Sequence, residues 1–249
     1  IEERKLSRNH TENILALIKA GIKVKKNKDK NLITLKGQQN LNSFNFKIPG
    51  DPSSAAFFIV LALLTSKSKL IIKNINCNPT RIGFIKILKK MKANIKIKNL
   101  KKRSGEFVGD IVVKSSQLKP INCPKKLVPS AIDEFPAVFI AAACAEGKTT
   151  LRGAGELRHK ETDRLTVMAD GLNSLGINVR VFDDGIEITG GVIKGGNVDA
   201  SGDHRVAMAF AMAALKSTGE ISVDNASQIS TSFPDFFEKA EKTGLRIVW

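Results

Sequence analysis

The chain has 249 residues, enough to bury a substantial core in one large domain or two. No run of about twenty apolar residues occurs, which excludes a helical membrane span, and the three cysteines (Cys77, Cys123, Cys144) lack paired metal-ligand spacing and read as reduced thiols of a cytoplasmic protein, Cys144 within a helix core. The net charge of +16 raises a nucleic-acid partner, but the excess is nearly all Lys, scattered with Asn and Ile through Lys19–Lys30 and Lys86–Lys102, and the chain has no Tyr to interleave with it for base stacking, so solvated helix faces are expected and neither nucleic acid nor membrane is a partner.

The chain opens on a charged stretch without an apolar signal core and without Met, and enters a helix almost at once. Thr11–Ala20 carries apolar residues at three- and four-residue steps and predicts an amphipathic helix; Gly21 follows at the C′ position, and Ile22–Val24 starts a strand. Further strands are expected near Ile33–Leu35 and Phe44–Ile48. Then a unit repeats. Asp51-Pro52-Ser53-Ser54-Ala55, Asp133-Glu134-Phe135-Pro136-Ala137 and Asp203-His204-Arg205-Val206-Ala207 each open an Ala-rich apolar helix, followed by a strand over Ser66–Ile72, Glu146–Leu151 or Ser217–Val223. Each then gives an amphipathic helix (Gly83–Met91, Leu165–Leu175, Phe233–Thr243) and an alternating strand (Ala93–Ile97, Gly176–Val181, Gly244–Val248), with added strands near Asp110–Val113 and Ile186–Thr189. Such repetition signals a symmetric α/β architecture. It can aim several helix N-termini at one place, which then attracts anions. The opening helix has no partner unit before it, so the chain is expected to be the C-terminal part of something longer.

Arg is scarce beside Lys, yet Arg8, Arg81, Arg158, Arg164 and Arg205 fall inside the distinctive segments. Guanidinium binds carboxylate or phosphate bidentately, so geometry is at stake there. In Arg158-His159-Lys160-Glu161-Thr162-Asp163-Arg164, a helix would put Lys160, Glu161 and Arg164 on one face. That is either a salt-bridged first turn or an anion site with a proton donor beside it. Asp51, Asp133 and Asp203 each read as a helix N-cap, worth about 1 kcal/mol, which does not exclude function at a helix mouth. His204 is a candidate general acid or an orienting group, and Arg205 beside it the better anion ligand. Gly190-Gly191 and Gly195-Gly196 lack phosphate-loop spacing and read as loop.

Pro49-Gly50-Asp51-Pro52-Ser53-Ser54-Ala55, Ile132-Asp133-Glu134-Phe135-Pro136, Lys160-Glu161-Thr162-Asp163-Arg164-Leu165, Asp203-His204-Arg205-Val206-Ala207-Met208 and Ser232-Phe233-Pro234-Asp235-Phe236 resemble, in order, the C-terminal motifs of the 5-enolpyruvylshikimate-3-phosphate synthase family. Ser7-Arg8-Asn9-His10-Thr11-Glu12 and Asn78-Pro79-Thr80-Arg81 resemble its second sequence class. The resemblance implies an inside-out α/β fold of repeated βαβαββ units, in two domains that are monomeric when complete. Residues 1–48 would end the first domain, and 49–249 would form most of the second, with the phosphoenolpyruvate side of the site. It implies transfer of enolpyruvyl from phosphoenolpyruvate to the 5-hydroxyl of shikimate 3-phosphate, without cofactor or metal. The family's further substrate-binding segments lie upstream, so half a site is expected here, inactive alone. By the same resemblance Asp133 is the base toward the hydroxyl, Glu161 a proton-transfer residue near the methylene carbon, and Lys160 a group near both substrates. Arg164 and Arg205 are ligands of phosphoenolpyruvate, and Arg8 contacts the shikimate phosphate. Asp51 and His204 are secondary candidates. Thr231 stands where many first-class members have Lys, and no ligand is assigned there.

Three readings compete. A sister transferase acting on UDP-N-acetylglucosamine shares the fold, but Lys160–Arg164 and Asp203–Arg205 fit the shikimate enzyme better. A basic, non-catalytic module built of related repeats would not need Asp133, Lys160 and Glu161. The third is an inactive fragment of a once complete enzyme.

Overall fold

A computed structural model describes residues 1–4, 7–27 and 30–248. Lys28, part of the first lysine-rich stretch, lies outside the described residues.

Three helices are apolar around their whole circumference, and this decides the architecture. In α2 (Pro52–Leu64) an unbroken run from Ala55 to Leu63 is buried; in α4 (Phe135–Ala143) every residue is; in α6 (His204–Ala213) nearly all are after the first turn. Helices with no polar face belong in an interior, and these three pack on one another at the centre of the molecule. α2 starts where expected: the Asp51 carboxylate accepts from the Ser53 and Ser54 amides at 3.1 and 3.3 Å, and Pro52 occupies the first helical position.

The sheets lie outside these helices. Strands β4 (Lys69–Asn76), β5 (Asn94–Arg103) and β6 (Glu106–Lys114) form a sheet with β6 central and antiparallel to both neighbours. Strands β7 (Gly147–Arg152), β8 (Asn178–Phe182) and β9 (Gly185–Gly190) repeat that pattern around β9. Their alternation sends one face to the helices and one to water: Ile95 and Ile111 are buried while Lys96 and Lys98 are exposed. The third unit has a parallel pair, β10 (Gly196–Asp199) with β11 (Ile221–Asp224). Amphipathic α3 (Gly83–Lys90) and α5 (Arg164–Ser174) fill their units, and α7 (Gln228–Ser232) and α8 (Phe236–Glu241) close the third. Helices inside and sheets outside is the inside-out arrangement expected. One apolar core runs through all three units, from Ala55 to Leu245.

Close approach of α5 to α6 positions the site. A Cβ on Gly171 would lie 2.3 Å from Phe210 Cζ, so only glycine admits that ring. Near the N-terminus, β1 (Glu2–Glu3), α1 (His10–Leu17), β2 (Ile22–Lys26) and β3 (Asn31–Leu35) form a small layer of their own, with β3 central in its sheet. Its buried residues Ile18 and Ala20 do not join the main core.

Several local expectations fail. Gly190 ends β9 and Gly196 begins β10 where loop was expected, and the helix expected over Phe233–Thr243 is confined to Phe236–Glu241. Phe44–Ile48 and Leu245–Val248 are irregular: neither joins a strand ladder among the described residues, and the first segment touches β4 only just beyond its end, through the isolated parallel bridge of Gly50 with Ile75. The left-handed residue after α1 is Lys19 (φ 59°) and not Gly21, whereas Gly176 and Gly244, which follow α5 and α8, do take positive φ. Cys144 is the C-cap of α4, half-buried, and not within the helix. All three cysteines are free, and burial pushes each thiol up to about 11, which leaves them unreactive.

Candidate active site

The starts of α2, α4, α5 and α6 meet in one place, and Asp133 is its centre. Asp133 lies in a short 3₁₀ turn (Ile132–Glu134) leading into α4. It caps nothing, contrary to the N-cap reading: no amide of α4 bonds a side chain there. Its carboxylate instead faces cations from separate parts of the chain. Arg8 donates to Oδ2 at 2.5 Å, Lys160 Nζ lies 3.4 Å from Oδ1, and Arg164 Nη1 lies 3.7 Å from Oδ1. Arg205 donates to the Asp133 carbonyl at 3.1 Å. Burial alone would raise the Asp133 pKa; the charges of Arg205, Lys160, Arg8 and Arg164 outweigh it and hold the carboxyl below its ordinary value.

Arg164 is the first residue of α5, capped by Asp163, whose carboxylate accepts from the Leu165 and Thr166 amides at 3.1 and 3.2 Å. The residue is 0 % exposed. A buried guanidinium needs a counter-charge, and Asp203, also 0 % exposed, supplies it: Nε donates to Oδ2 at 2.7 Å and Nη2 to Oδ1 at 3.3 Å. Nη2 donates as well to Glu161 Oε2 at 2.5 Å, while Nη1, itself buried, makes no hydrogen bond among the described residues. Asp203 is thus more than the expected cap. It does cap α6, accepting from the Arg205 and Val206 amides at 2.8 and 3.3 Å, and it also aims Arg164. Lys160 and Glu161 lie in the turn before α5, so the grouping with Arg164 comes from that turn and not from one helical face. Lys160 Nζ donates to Glu156 at 2.9 Å. Burial opposes its charge, but Glu156 and Asp133 outweigh this and raise its pKa, so it stays an ammonium. Glu161 keeps 47 % of its side chain exposed.

Glu134 is a residue the sequence reading passed over. It is 1 % exposed, accepts from the Ser53 hydroxyl, and lies 3.9 Å from Arg205 Nη1. Burial raises its pKa against the pull of Ser53, Arg205 and Arg81. A carboxylate between Asp133 and an unbroken apolar run had to be buried with α4, which was the available signal. Asp51 faces Arg81, which donates to it at 2.7 Å and to Ser53 at 2.8 Å; it lies at the edge of the cluster. His204 is half-buried at the first position of α6, and burial, then Arg205, lower its pKa, so it is neutral at pH 7 and unsuited to hold an anion by charge. Arg158, in the same segment, serves structure by holding Asp163 and the Phe182 carbonyl. Among the described residues no cluster of His, Cys, Asp and Glu has metal-binding form, and no helix is long and apolar enough to cross a membrane.

A cluster of cations around one ionised carboxylate, with a second, half-exposed carboxylate beside it, is suited to anionic substrates and proton transfer between them. Comparison with known proteins agrees with the motifs. The family described as EPSP synthase (3-phosphoshikimate 1-carboxyvinyltransferase) matches residues 1–240. A 3-phosphoshikimate 1-carboxyvinyltransferase of Legionella pneumophila (strain Corby) is 47 % identical over 240 residues, 96 % of this chain and 54 % of that protein. An EPSP synthase structure from Acinetobacter baumannii superposes with a TM-score of 0.89 at 44 % identity, covering 97 % of this chain and 55 % of that one. The enolpyruvyl transferase NikO from Streptomyces tendae shares the fold, with a TM-score of 0.74 at 18 % identity over 97 % of this chain and 54 % of that one. The chain spans about half the length of these relatives. With the ordered motifs, the inside-out fold and a match across residues 1–240, the chain belongs to the EPSP synthase family.

Proposed function

We propose that this chain supplies the phosphoenolpyruvate side of a 3-phosphoshikimate 1-carboxyvinyltransferase site. The observation that carries the reading is the meeting of Arg8, Lys160, Arg164 and Arg205 on Asp133. In the reaction, the 5-oxygen of shikimate 3-phosphate bonds to C2 of phosphoenolpyruvate, its proton leaves, and C3 gains a proton. The tetrahedral intermediate then expels phosphate from C2 and gives back a proton from C3, restoring the double bond.

Asp133 is the base toward the 5-hydroxyl. At rest its cations keep it ionised, as a base must be, but also make it weak. Two anionic substrates in the cleft offset those cations and raise its basicity when the proton has to move. Glu161 exchanges the proton at C3. Lys160, held between Glu156 and Asp133, neutralises charge between the two substrates. Arg164 and Arg205 hold phosphoenolpyruvate. Arg8 contacts the shikimate phosphate. Asp51 serves α2 and Arg81, and His204 orients without charge. Residues 1–48 belong to one domain and 49–249 to a second; the separate small sheet near the N-terminus and the single core from Ala55 onward support that division. The complete enzyme is read as a cytoplasmic monomer, in keeping with three free cysteines.

The test joins this chain to the N-terminal portion of the Legionella relative and follows phosphate release from phosphoenolpyruvate. Release that requires shikimate 3-phosphate supports the reading. Release with UDP-N-acetylglucosamine instead, or none with either acceptor, refutes it.

A further inference from the structure

Two sequence segments, Ser7–Glu12 and Asn78–Arg81, each send one Arg toward the cluster around Asp133 and Asp51, yet most of their other polar residues face elsewhere. They meet at Glu106, the first residue of β6, which is 2 % exposed. Its Oε1 lies 2.8 Å from His10 Nδ1 and accepts from Asn13 Nδ2 at 3.0 Å. Its Oε2 accepts from Asn76 and Asn78 at 3.2 and 3.0 Å. Asn78 Nδ2 also reaches Asn9 Oδ1, at 2.8 Å. Burial would raise the Glu106 pKa, but bonds from Asn13, His10 and Asn78 outweigh it and keep the carboxyl ionised, which puts the His10 proton on Nδ1.

The backbone adds to this contact. Ser104 and Gly105 turn the β5–β6 hairpin with φ of 46° and 83°, and a Cβ on Gly105 would lie 3.1 Å from the Asn13 carbonyl. The turn therefore sits directly on α1. None of the residues of α1 is fully buried, so apolar packing does little to hold that helix in place. A buried, fully satisfied carboxylate does it instead. The consequence reaches the cleft from two sides. Asn9 and His10 directly follow Arg8, which bonds Asp133. The Asn78 carbonyl accepts from the Arg81 amide at 2.8 Å, and Arg81 bonds Asp51 and Ser53.

We propose that Glu106 is a positioning residue that locks α1 onto the β4–β6 strands and so sets the direction from which Arg8 enters the cleft. The proposal rests on reading Arg8 as a ligand of the shikimate phosphate. Glu106→Gln keeps the shape and removes the charge. In the chain itself, amide exchange over residues 9–20 should quicken on the order of tenfold, the loss of one charge-assisted bond, with α2, α4 and α6 unchanged. In the joined enzyme, the KM for shikimate 3-phosphate should rise by a similar factor, with kcat and the KM for phosphoenolpyruvate near parent values. Adding Asn13→Asp, which returns a carboxylate to the same contact, should restore both. Unaltered exchange in α1, or equal quickening throughout the chain, overturns the proposal. So does an active joined enzyme in which Glu106→Gln alters both KM values alike or neither. Were the joined parent inactive, the functional reading would fail, and the exchange experiment would still decide whether Glu106 holds α1.

Discussion

Replacing Asp203 by Asn separates its two duties. Asn is about as good an N-cap as Asp, so the bonds from the Arg205 and Val206 amides at 2.8 and 3.3 Å should survive. What is lost is the charge facing Arg164, whose side chain is 1 % exposed beside an Asp203 side chain at 0 %. Removing one member of a buried ion pair destabilises by about 3–5 kcal/mol, because the other charge stays buried. Glu161 at 2.5 Å and Asp133 at 3.7 Å still face Arg164, which favours the lower end. We expect a loss of about 3 kcal/mol, seen as a fall in Tm of roughly 6–12 °C for a chain of this size. Asp203→Ala should lose about 1 kcal/mol more, the worth of the cap. Thermal and urea unfolding of the two variants beside the parent measures both. If Asp203→Asn unfolds with the parent and Asp203→Ala loses only the cap's worth, the charge of Asp203 does not hold Arg164, and the account of how this guanidinium is aimed is wrong.

Gly171→Ala should destabilise by about 1–3 kcal/mol, since the new methyl meets the Phe210 ring; equal stability in urea would mean that α5 and α6 have room to part. Arg205→Lys in the joined enzyme should weaken phosphoenolpyruvate by about 1.5–3 kcal/mol of binding, because Lys cannot reproduce the fork; a loss confined to shikimate 3-phosphate in steady-state kinetics would reverse the assignment. Glu161→Gln should keep the fold and lower turnover by roughly 10²–10⁴, and a stability loss with turnover intact would make Glu161 only a salt-bridge partner. For pH, the Glu134 carboxyl is raised in the folded chain, so the native state holds its proton longer than the unfolded one. Its contribution to stability is greatest below the ordinary Glu value and declines as pH rises through the raised folded value. Glu134→Gln should flatten that part of the stability–pH curve; an unchanged slope would show that burial does not raise the Glu134 carboxyl.

The repeat and its three apolar helices were legible because helices apolar all round have one destination, and two of their starts because Asp-Pro and Asp before an apolar run are local signals. Local signals also misled. Phe44–Ile48 alternates like a strand but joins no ladder among the described residues, and pairing is not written in the segment itself. Asp133 resembled a cap from its place before α4, yet a 3₁₀ turn takes its carboxylate away from the helix amides. The double role of Asp203 was hidden because Arg164 is 39 residues away in sequence. Glu106 gave no signal at all: its partners come from α1 and from around the end of β4, and only the folded hairpin brings them together.

The central claim is that Asp133 takes the proton from the attacking hydroxyl, and Asp133→Asn in the joined enzyme tests it most directly. Asn keeps the shape and a hydrogen-bonding oxygen but cannot act as a base. With phosphate release followed under saturating phosphoenolpyruvate and shikimate 3-phosphate, the account predicts a fall in turnover of roughly 10²–10⁴. Turnover within a few-fold of an active parent, in a variant that folds and binds both substrates, would contradict it.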